Sequence, residues 1–553
     1  MHNESCKKNN YDVIVVGAGI GGIYCAYQLK KMGLSFLVLE AGSGVGGTWF
    51  WNRYPGARCD IESIEYSYQF SEELQQQWEW PERYASQEDM LKYLRHVANT
   101  FELNAFIKLS TTVTSQRFEH KQWKTTTKSG ETFQSKFCIM ATGAVSSPRT
   151  PDIEGINNFS GETYHTSEWP NKKIAFNDQR VAVIGTGTSG IQCIPIIAEN
   201  AKELHVYQRT ANYYVPIQNT PTDTRITQEI KKNYRAFREK NARLAAGYSA
   251  GDLSSTCSAI SSQLSVNERE AIFESAWQRG GFYFQAAFND LLKNTESNEL
   301  AANFIRKKIR AIVKDQKIAD TLCPNITFGC KRLSMGKNYY ETFNKNHVFL
   351  HDISKNSIKK ITQHDIVLAN NQSQPIDIIV FATGFDDMVG ALRKIKITGI
   401  KNIALQQQWE KTNPTMHLGM MTANFPNMFF VTGPGSPSIT TNMFATIEQN
   451  INWICDCINY LINNDIASIE VKPDIQEQWA NRVNQLASET LYYQCQSRYV
   501  GKESNDQSYF MPYLGYVDYA QLCRQAQDNQ YSDFILKHSS SFTQKNKKTE
   551  SVL

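Results

Sequence analysis

Short, uniformly apolar runs bounded by glycine alternate along this chain with longer stretches whose apolar residues recur three and four apart. "YDVIVVGAGIGGIYCAYQL" (11–29) opens with an apolar run of strand length, passes through a glycine cluster, and continues with helical spacing. It predicts strand, tight turn and amphipathic helix, with "LSFLVLEAG" as the next strand. The same order recurs in "QRVAVIGTGTSGIQCIPIIA" (179–198), followed by the strand pattern "ELHVYQRT". Residues 221–327 carry mainly helix signals, as in "ITQEIKKNYRAFREKNARLAA" and "ELAANFIRKKIRAIVKD". "FSGETYHTSEWP" (159–170) has neither period, and the final "KHSSSFTQKNKKTESVL" is polar and reads as a disordered tail.

With 553 residues, the chain is long enough for two to four domains. A net charge of +4 is small for this size, which argues against binding to nucleic acid or to an anionic membrane. No apolar run approaches the ~18 residues of a spanning helix, and "MHNESCKKNN" contains no secretory segment. The twelve Cys form no CxxC pair, and several, such as Cys25, Cys193 and Cys455, sit in apolar segments as small core residues. A disulfide framework and a metal site are therefore not expected, and a reducing cytoplasm is the expected compartment.

Gly17, Gly19 and Gly22 form GxGxxG after a strand and before a helix. The first glycine permits the turn, the second lets backbone approach a pyrophosphate, and the third packs helix on strand. Glu40 ends the second strand, 23 residues after Gly17, where a carboxylate accepts from both hydroxyls of a ribose. In the second copy, Gly185, Gly187 and Gly190 repeat the spacing, but the same count lands on Gln208, followed by Arg209 and Thr210. Without the acid, nothing repels a ribose 2′-phosphate, and a guanidinium grips one with two hydrogen bonds. The first site fits FAD and the second NADPH, unless Arg209 and Thr210 are ordinary surface residues. The fold class is α/β with two Rossmann-type units. Two cofactor sites in one chain imply electron transfer between them, as in flavin reductases, disulfide reductases and flavin monooxygenases. With no redox-active Cys pair evident, monooxygenases remain.

Phe159-x-Gly161-xxx-His165-xxx-Trp169-Pro170, lying between the two glycine turns, resembles the fingerprint of type I Baeyer–Villiger monooxygenases. The resemblance extends through "GGTWFWNRYPGARCDIESIEYSY" (46–68), "MATG" (140–143), "FGCKRLSMGKNYYETFN" (328–344), "FATGFD" (381–386) and residues 416–443. It implies an FAD domain in two parts, 1–145 and 385–535. An NADP domain, also in two parts (146–220 and 328–384), is inserted in it, with a helical subdomain at 221–327 and a polar tail at 536–553. It implies FAD contacts at Gly21, Gly47, Thr48, Trp49, Asp60, Tyr66, Val113 and Met443, beside the fingerprint glycines and Glu40. NADP contacts are implied at Thr186, Thr188, Ser189 and Lys331, beside Gly185, Gly187, Gly190, Arg209 and Thr210.

The implied reaction takes a hydride from NADPH to the flavin. Oxygen then forms a C4a-peroxyflavin, which attacks a ketone to give an ester or lactone. A fixed cation would keep the peroxide deprotonated and stabilise the oxyanion of the adduct. Arg332 is the residue implied, with Asp60 as its partner, because a guanidinium stays charged in a dry site. The blander alternatives are a surface cation at Arg332 and a helix cap at Asp60. His165 is read as a hydrogen-bonding residue that couples cofactor binding to domain movement, and not as the base. The chain departs from the family at Leu333, where a proline is usual, and at Ala144, where an amide is frequent. The largest departure is "QSRYVGKESNDQSYFMPYLG" (496–515), where Arg498 replaces a tryptophan. An N- or S-oxygenating flavin monooxygenase and an uncoupled FAD/NADP-binding relative stay open as alternatives, and the ketone and oligomeric state are undetermined.

Overall fold

The computed structural model describes residues 9–249, 261–386, 388–502 and 508–539. Asn10–Val16 lies inside an eight-stranded sheet, parallel to Phe36–Leu39 on one side and to Thr132–Met140 on the other. Val13, Ile14 and Val15 are wholly buried, because a central parallel strand is covered on both faces. The helix Ile20–Lys31 packs against the long helix Met443–Asn463. Beyond Thr132–Met140 come Gln122–Thr127 and Val113–Glu119, each antiparallel to the strand before it, and then Lys396–Thr398, parallel to Val113–Glu119. Met428–Phe430 also joins Thr132–Met140. One sheet is thus built from two pieces of chain, 10–140 and 396–430.

Between those pieces lies a second sheet of five parallel strands. Its order is Val348–Asp352, Glu203–Gln208, Arg180–Ile184, Ile378–Phe381 and Glu162–His165. Tyr214–Pro216 pairs with Ser334–Gly336 at the base of the helical insertion. There the long periodic run starting at Ile226 forms two helices, Thr224–Lys232 and Tyr234–Ala242. They are broken at Asn233, which leaves the helical region (φ −142°, ψ 55°) and caps the second helix with its side chain. The insertion packs around Phe273, Trp277, Phe284 and Phe304.

Two expectations need correction. Cys330 and Cys495 form a disulfide, with Cα atoms 5.3 Å apart and a sequence separation of 165. Both lie in loops that only the tertiary fold brings together, so their spacing carried no signal; Cys25, Cys193 and Cys455 are free and buried. The polar tail expected from 536 starts inside a strand, Phe534–His538, which pairs antiparallel with Ile466–Val471. Residues 540–553 lie outside the described residues. Among the described residues, no helix is long and apolar enough to cross a membrane, and no group of side chains is placed to hold a metal ion.

Candidate active site

Both glycine turns open on one cavity of about 2200 Å³. Ligand clefts for small molecules run to about 1,000 Å³, so this one has room for more than one ligand. Gly17 has φ +104°, and a Cβ there would lie 2.5 Å from the Ala141 carbonyl oxygen. A Cβ on Gly22 would lie 1.8 Å from the Gly17 oxygen, which is how closely the helix presses on the strand end. Gly19 faces Gly47 at backbone distance, 3.3 Å from its would-be Cβ. The Glu40 carboxylate is held by two backbone N–H donors, Ala18 at 2.6 Å and Gly42 at 2.7 Å. Burial raises its pKa while these two bonds oppose the rise. It lines the cavity together with Thr48, Trp49, Tyr66, Val113 and Met443. Trp49 meets Tyr66 edge-on at 6.1 Å.

The second turn repeats this geometry. Gly185 has φ +110°, with its would-be Cβ 2.4 Å from the Ala382 oxygen, and that of Gly190 lies 2.2 Å from the Gly185 oxygen. A Cβ on Gly187 would meet nothing within 4 Å, so this backbone faces open space. Gln208 is buried and turns away, donating to the Thr321 carbonyl at 2.7 Å. Arg209, Thr210, Thr188, Ser189 and Lys331 line the cavity. Thr186 lines it too and donates to the Thr210 carbonyl at 3.2 Å, tying the turn to the strand end. Gly22 and Gly190, expected among the binding residues, do not line the cavity; they only close the helix onto the strand.

The stretch 159–170 supports this cavity from behind. His165 ends the edge strand Glu162–His165. Its Nδ1 accepts from the Ser167 N–H at 3.2 Å, so the ring proton sits on Nε2, near the Thr383 hydroxyl at 3.2 Å and the Arg149 carbonyl at 3.3 Å. Burial lowers its pKa and keeps the ring neutral. Arg149 and Thr383 lie on the two segments by which the chain leaves and re-enters the first sheet. Trp169 is buried against Tyr164, and a Cβ on Gly161 would strike the Asp377 oxygen at 2.2 Å. Phe159 packs on the apolar cluster under the second sheet. The turn Thr166–Glu168 rests on the helix Thr48–Trp51, and Ser167 and Glu168, not the four fingerprint residues, reach the cavity wall.

Arg332 and Asp60 meet in the same wall. Nε donates to Oδ2 at 2.6 Å and Nη2 to Oδ1 at 2.9 Å, a bidentate pair. Nη1 donates to the Ile439 carbonyl. Burial would depress the guanidinium's pKa, but the Asp60 charge and hydrogen bonds outweigh it and hold it above its ordinary range. Phe282 lies under the guanidinium at 4.7 Å. Three of the five N–H groups are thus committed among the described residues, which leaves two for a ligand. Residues 61–67 form turns, so Asp60 caps no helix; its carboxylate serves Arg332.

A family model described as pyridine nucleotide-disulphide oxidoreductase matches residues 14–249. A cyclohexanone 1,2-monooxygenase from Acinetobacter sp is 38% identical over 497 residues, covering 89% of this chain and 90% of that protein. The chain belongs to the Baeyer–Villiger monooxygenases. A solved structure of OTEMO in complex with FAD and NADP superposes on this Baeyer–Villiger monooxygenase with a TM-score of 0.90. It is 35% identical and covers 95% of this chain and 99% of that one. A phenazine N-monooxygenase from Lysobacter antibioticus is 35% identical over 538 residues, 96% of this chain and 97% of that protein. The chain is an FAD- and NADPH-dependent flavin monooxygenase.

Some residues of the Baeyer–Villiger cavity wall carry no motif. Arg149, Asn325 and Lys394 line it from loops with no fixed spacing to either glycine turn. Tyr499 lies beside Arg332 and has its hydroxyl pKa pushed up by burial, with Arg332 opposing. Only the departure at Arg498, one residue earlier, pointed towards that segment.

Proposed function

We propose that the protein inserts one oxygen atom of O2 beside the carbonyl of a ketone, giving an ester or lactone, with NADPH as reductant. FAD is assigned to residues 1–145 and 385–535, NADPH to 146–220 and 328–384, and the helical insertion to 221–327. The cavity suits both groups. Gly17, Gly19 and Gly47 leave backbone bare where a pyrophosphate would lie, Glu40 offers a carboxylate to a ribose, and Gly187 leaves open space in the second turn. Held there, NADPH would supply a hydride to the flavin, and the flavin so reduced would supply the electrons that activate O2.

The observation that carries the proposal is the Arg332–Asp60 pair in the wall shared by both turns. As the carbonyl carbon becomes tetrahedral, its oxygen gathers negative charge. The uncommitted N–H groups of Arg332 stabilise that charge without reorganising, because Asp60 fixes the guanidinium in advance. Asp60 also offsets the cost of keeping a cation out of water. His165, neutral and tied to both crossing segments, positions the two halves and moves no proton. The Cys330–Cys495 disulfide removes the reason for assigning the cytoplasm, which was that no such bond was expected.

The phenazine N-monooxygenase relative favours a second reading, oxygenation of nitrogen or sulfur, for which a fixed cation is less needed. Purified protein given NADPH, O2 and either a cyclic ketone or a thioether separates the two. Ester from the ketone is expected. Sulfoxide with no ester overturns the ketone proposal, and hydrogen peroxide alone from both substrates marks an uncoupled protein.

A further inference from the structure

We propose that Arg498 is a third cation on the 2′-phosphate of NADPH, held beside Lys331 and Arg209 by the Cys330–Cys495 disulfide. This rests on assigning the second glycine turn to NADPH.

Arg209, Lys331 and Arg498 come from three distant stretches and line one cavity. Among the described residues, none of the three forms an ion pair with a carboxylate, whereas Arg58 and Arg332 in the same wall do. Three cations converging without a counterion repel one another, and a dianionic phosphate relieves that repulsion. Lys331 shows the convergence: burial lowers its pKa first, and Arg209 and Arg498 lower it further. The Arg498 guanidinium rests against the crossing turn, its Nη2 3.2 Å from where a Cβ on Gly384 would stand. Gly384 has φ +79°, so the turn already favours a residue without a side chain, and the guanidinium occupies the room this leaves.

The disulfide explains how an exposed arginine keeps this place. Cys330 immediately precedes Lys331, and Cys495 stands three residues before Arg498. Downstream, Tyr499 is buried beside Arg332, and its carbonyl accepts from the Met511 N–H at 3.0 Å. Arg498 is therefore pinned between a covalent anchor and a buried aromatic.

The test is steady-state kinetics with NADPH and NADH on flavin-loaded Arg498→Ala, Arg498→Lys, Arg209→Ala and Cys330→Ser/Cys495→Ser proteins. A hydrogen bond to a charged group contributes about 1.5–3 kcal/mol, so Arg498→Ala raises KM for NADPH roughly 10- to 150-fold. It leaves KM for NADH within about threefold and kcat at saturating NADPH nearly intact, while Arg498→Lys retains most of the affinity. KM for NADPH unchanged in Arg498→Ala but raised in Arg209→Ala overturns the role of Arg498 alone. Equal rises for NADPH and NADH overturn it too, since the missing contact is then not the 2′-phosphate. No change in Arg209→Ala as well overturns the NADPH assignment of the turn. The double serine variant shares the direction of Arg498→Ala with a smaller rise, and an unmoved KM removes the disulfide from the proposal.

Discussion

The two glycine turns share the same local backbone geometry, yet we propose different ligands for them. In each, the first glycine has φ near +105° (+104° and +110°), and its would-be Cβ clashes with the carbonyl of an Ala-Thr-Gly turn, 2.5 Å in one and 2.4 Å in the other. What differs is the end of the next strand. Glu40 is pulled into the first turn by two backbone donors, whereas Gln208 faces the helical insertion and leaves the strand end to Arg209. On the proposed assignments, the backbone supplies a generic pyrophosphate cradle and one side chain per unit selects the ribose.

The hardest way to break this comparison is to fill each cradle separately. Gly17→Ala forces a side chain into the Ala141 carbonyl, and Gly185→Ala does the same at Ala382. The first variant is expected to purify colourless, without flavin. The second stays yellow and loses at least a hundredfold in reduction rate at low NADPH. Flavin absorbance and anaerobic bleaching by NADPH read both; loss of flavin from Gly185→Ala but not from Gly17→Ala reverses the assignments.

The next largest effect is expected at the junction of the two units. Arg332→Ala removes an oriented charge, which typically costs about 2.7–4 kcal/mol of barrier, or 10²- to 10³-fold in ester formation. Flavin content and NADPH oxidation should persist, the latter diverted to hydrogen peroxide. Asp60→Asn should lower ester yield in the same direction, because the guanidinium loses its orienting partner. Ester yield unchanged in Arg332→Ala separates the arginine from the chemistry.

The glycine spacing, the flanking strands and the Glu40-to-Gln208 switch were all legible because they are local: each is a fixed count along one strand–turn–helix unit. The helical insertion was legible from its 3.6-residue period, except at Asn233, where side-chain capping overrides an uninterrupted pattern. The Cys330–Cys495 bond was not legible, since its partners are 165 residues apart and neither flanking segment carries a repeat. Arg149 and Lys394 escaped for the same reason: the loops that bring them to the cavity are set by how two discontinuous units dock, not by any spacing. Arg332 and Asp60 sit between these cases. Their pairing came from resemblance to a family, and nothing in the spacing of residues 60 and 332 implies a bidentate contact.

A smaller effect sharpens the difference at the strand ends. Arg209→Ala should cost about 1.5–3 kcal/mol of NADPH binding and leave NADH nearly unaffected, cutting the preference roughly 10- to 150-fold. Glu40→Gln keeps an acceptor for only one of its two backbone donors and removes the charge, so flavin should be retained but dissociate faster. Measured flavin loss on dilution checks this. Equal sensitivity of both cofactors to either substitution removes the idea that each strand end selects its own ribose.

The smallest expected effect concerns what lies behind the turns. The first helix, Ile20–Lys31, backs onto Met443–Asn463, which buries Glu448; the second, Thr188–Ile197, contains no carboxylate. Glu448 accepts from the Gln69 N–H at 2.9 Å, yet burial outweighs that bond and pushes its pKa up to about 7 from 4.5. The folded state thus holds a proton that the unfolded chain releases above about pH 4.5. This stabilisation is complete below that pH and is lost as pH rises through 7, by no more than about 3 kcal/mol at 1.36 kcal/mol per pKa unit. Glu448→Gln keeps the acceptor and abolishes the titration. Its Tm should match the wild type near pH 5 and exceed it by several degrees at pH 8, with flavin release in the wild type rising over the same interval. Parallel Tm curves for the two proteins would show that the carboxyl is already solvated, and that the flavin half is no more sensitive to alkali than its partner.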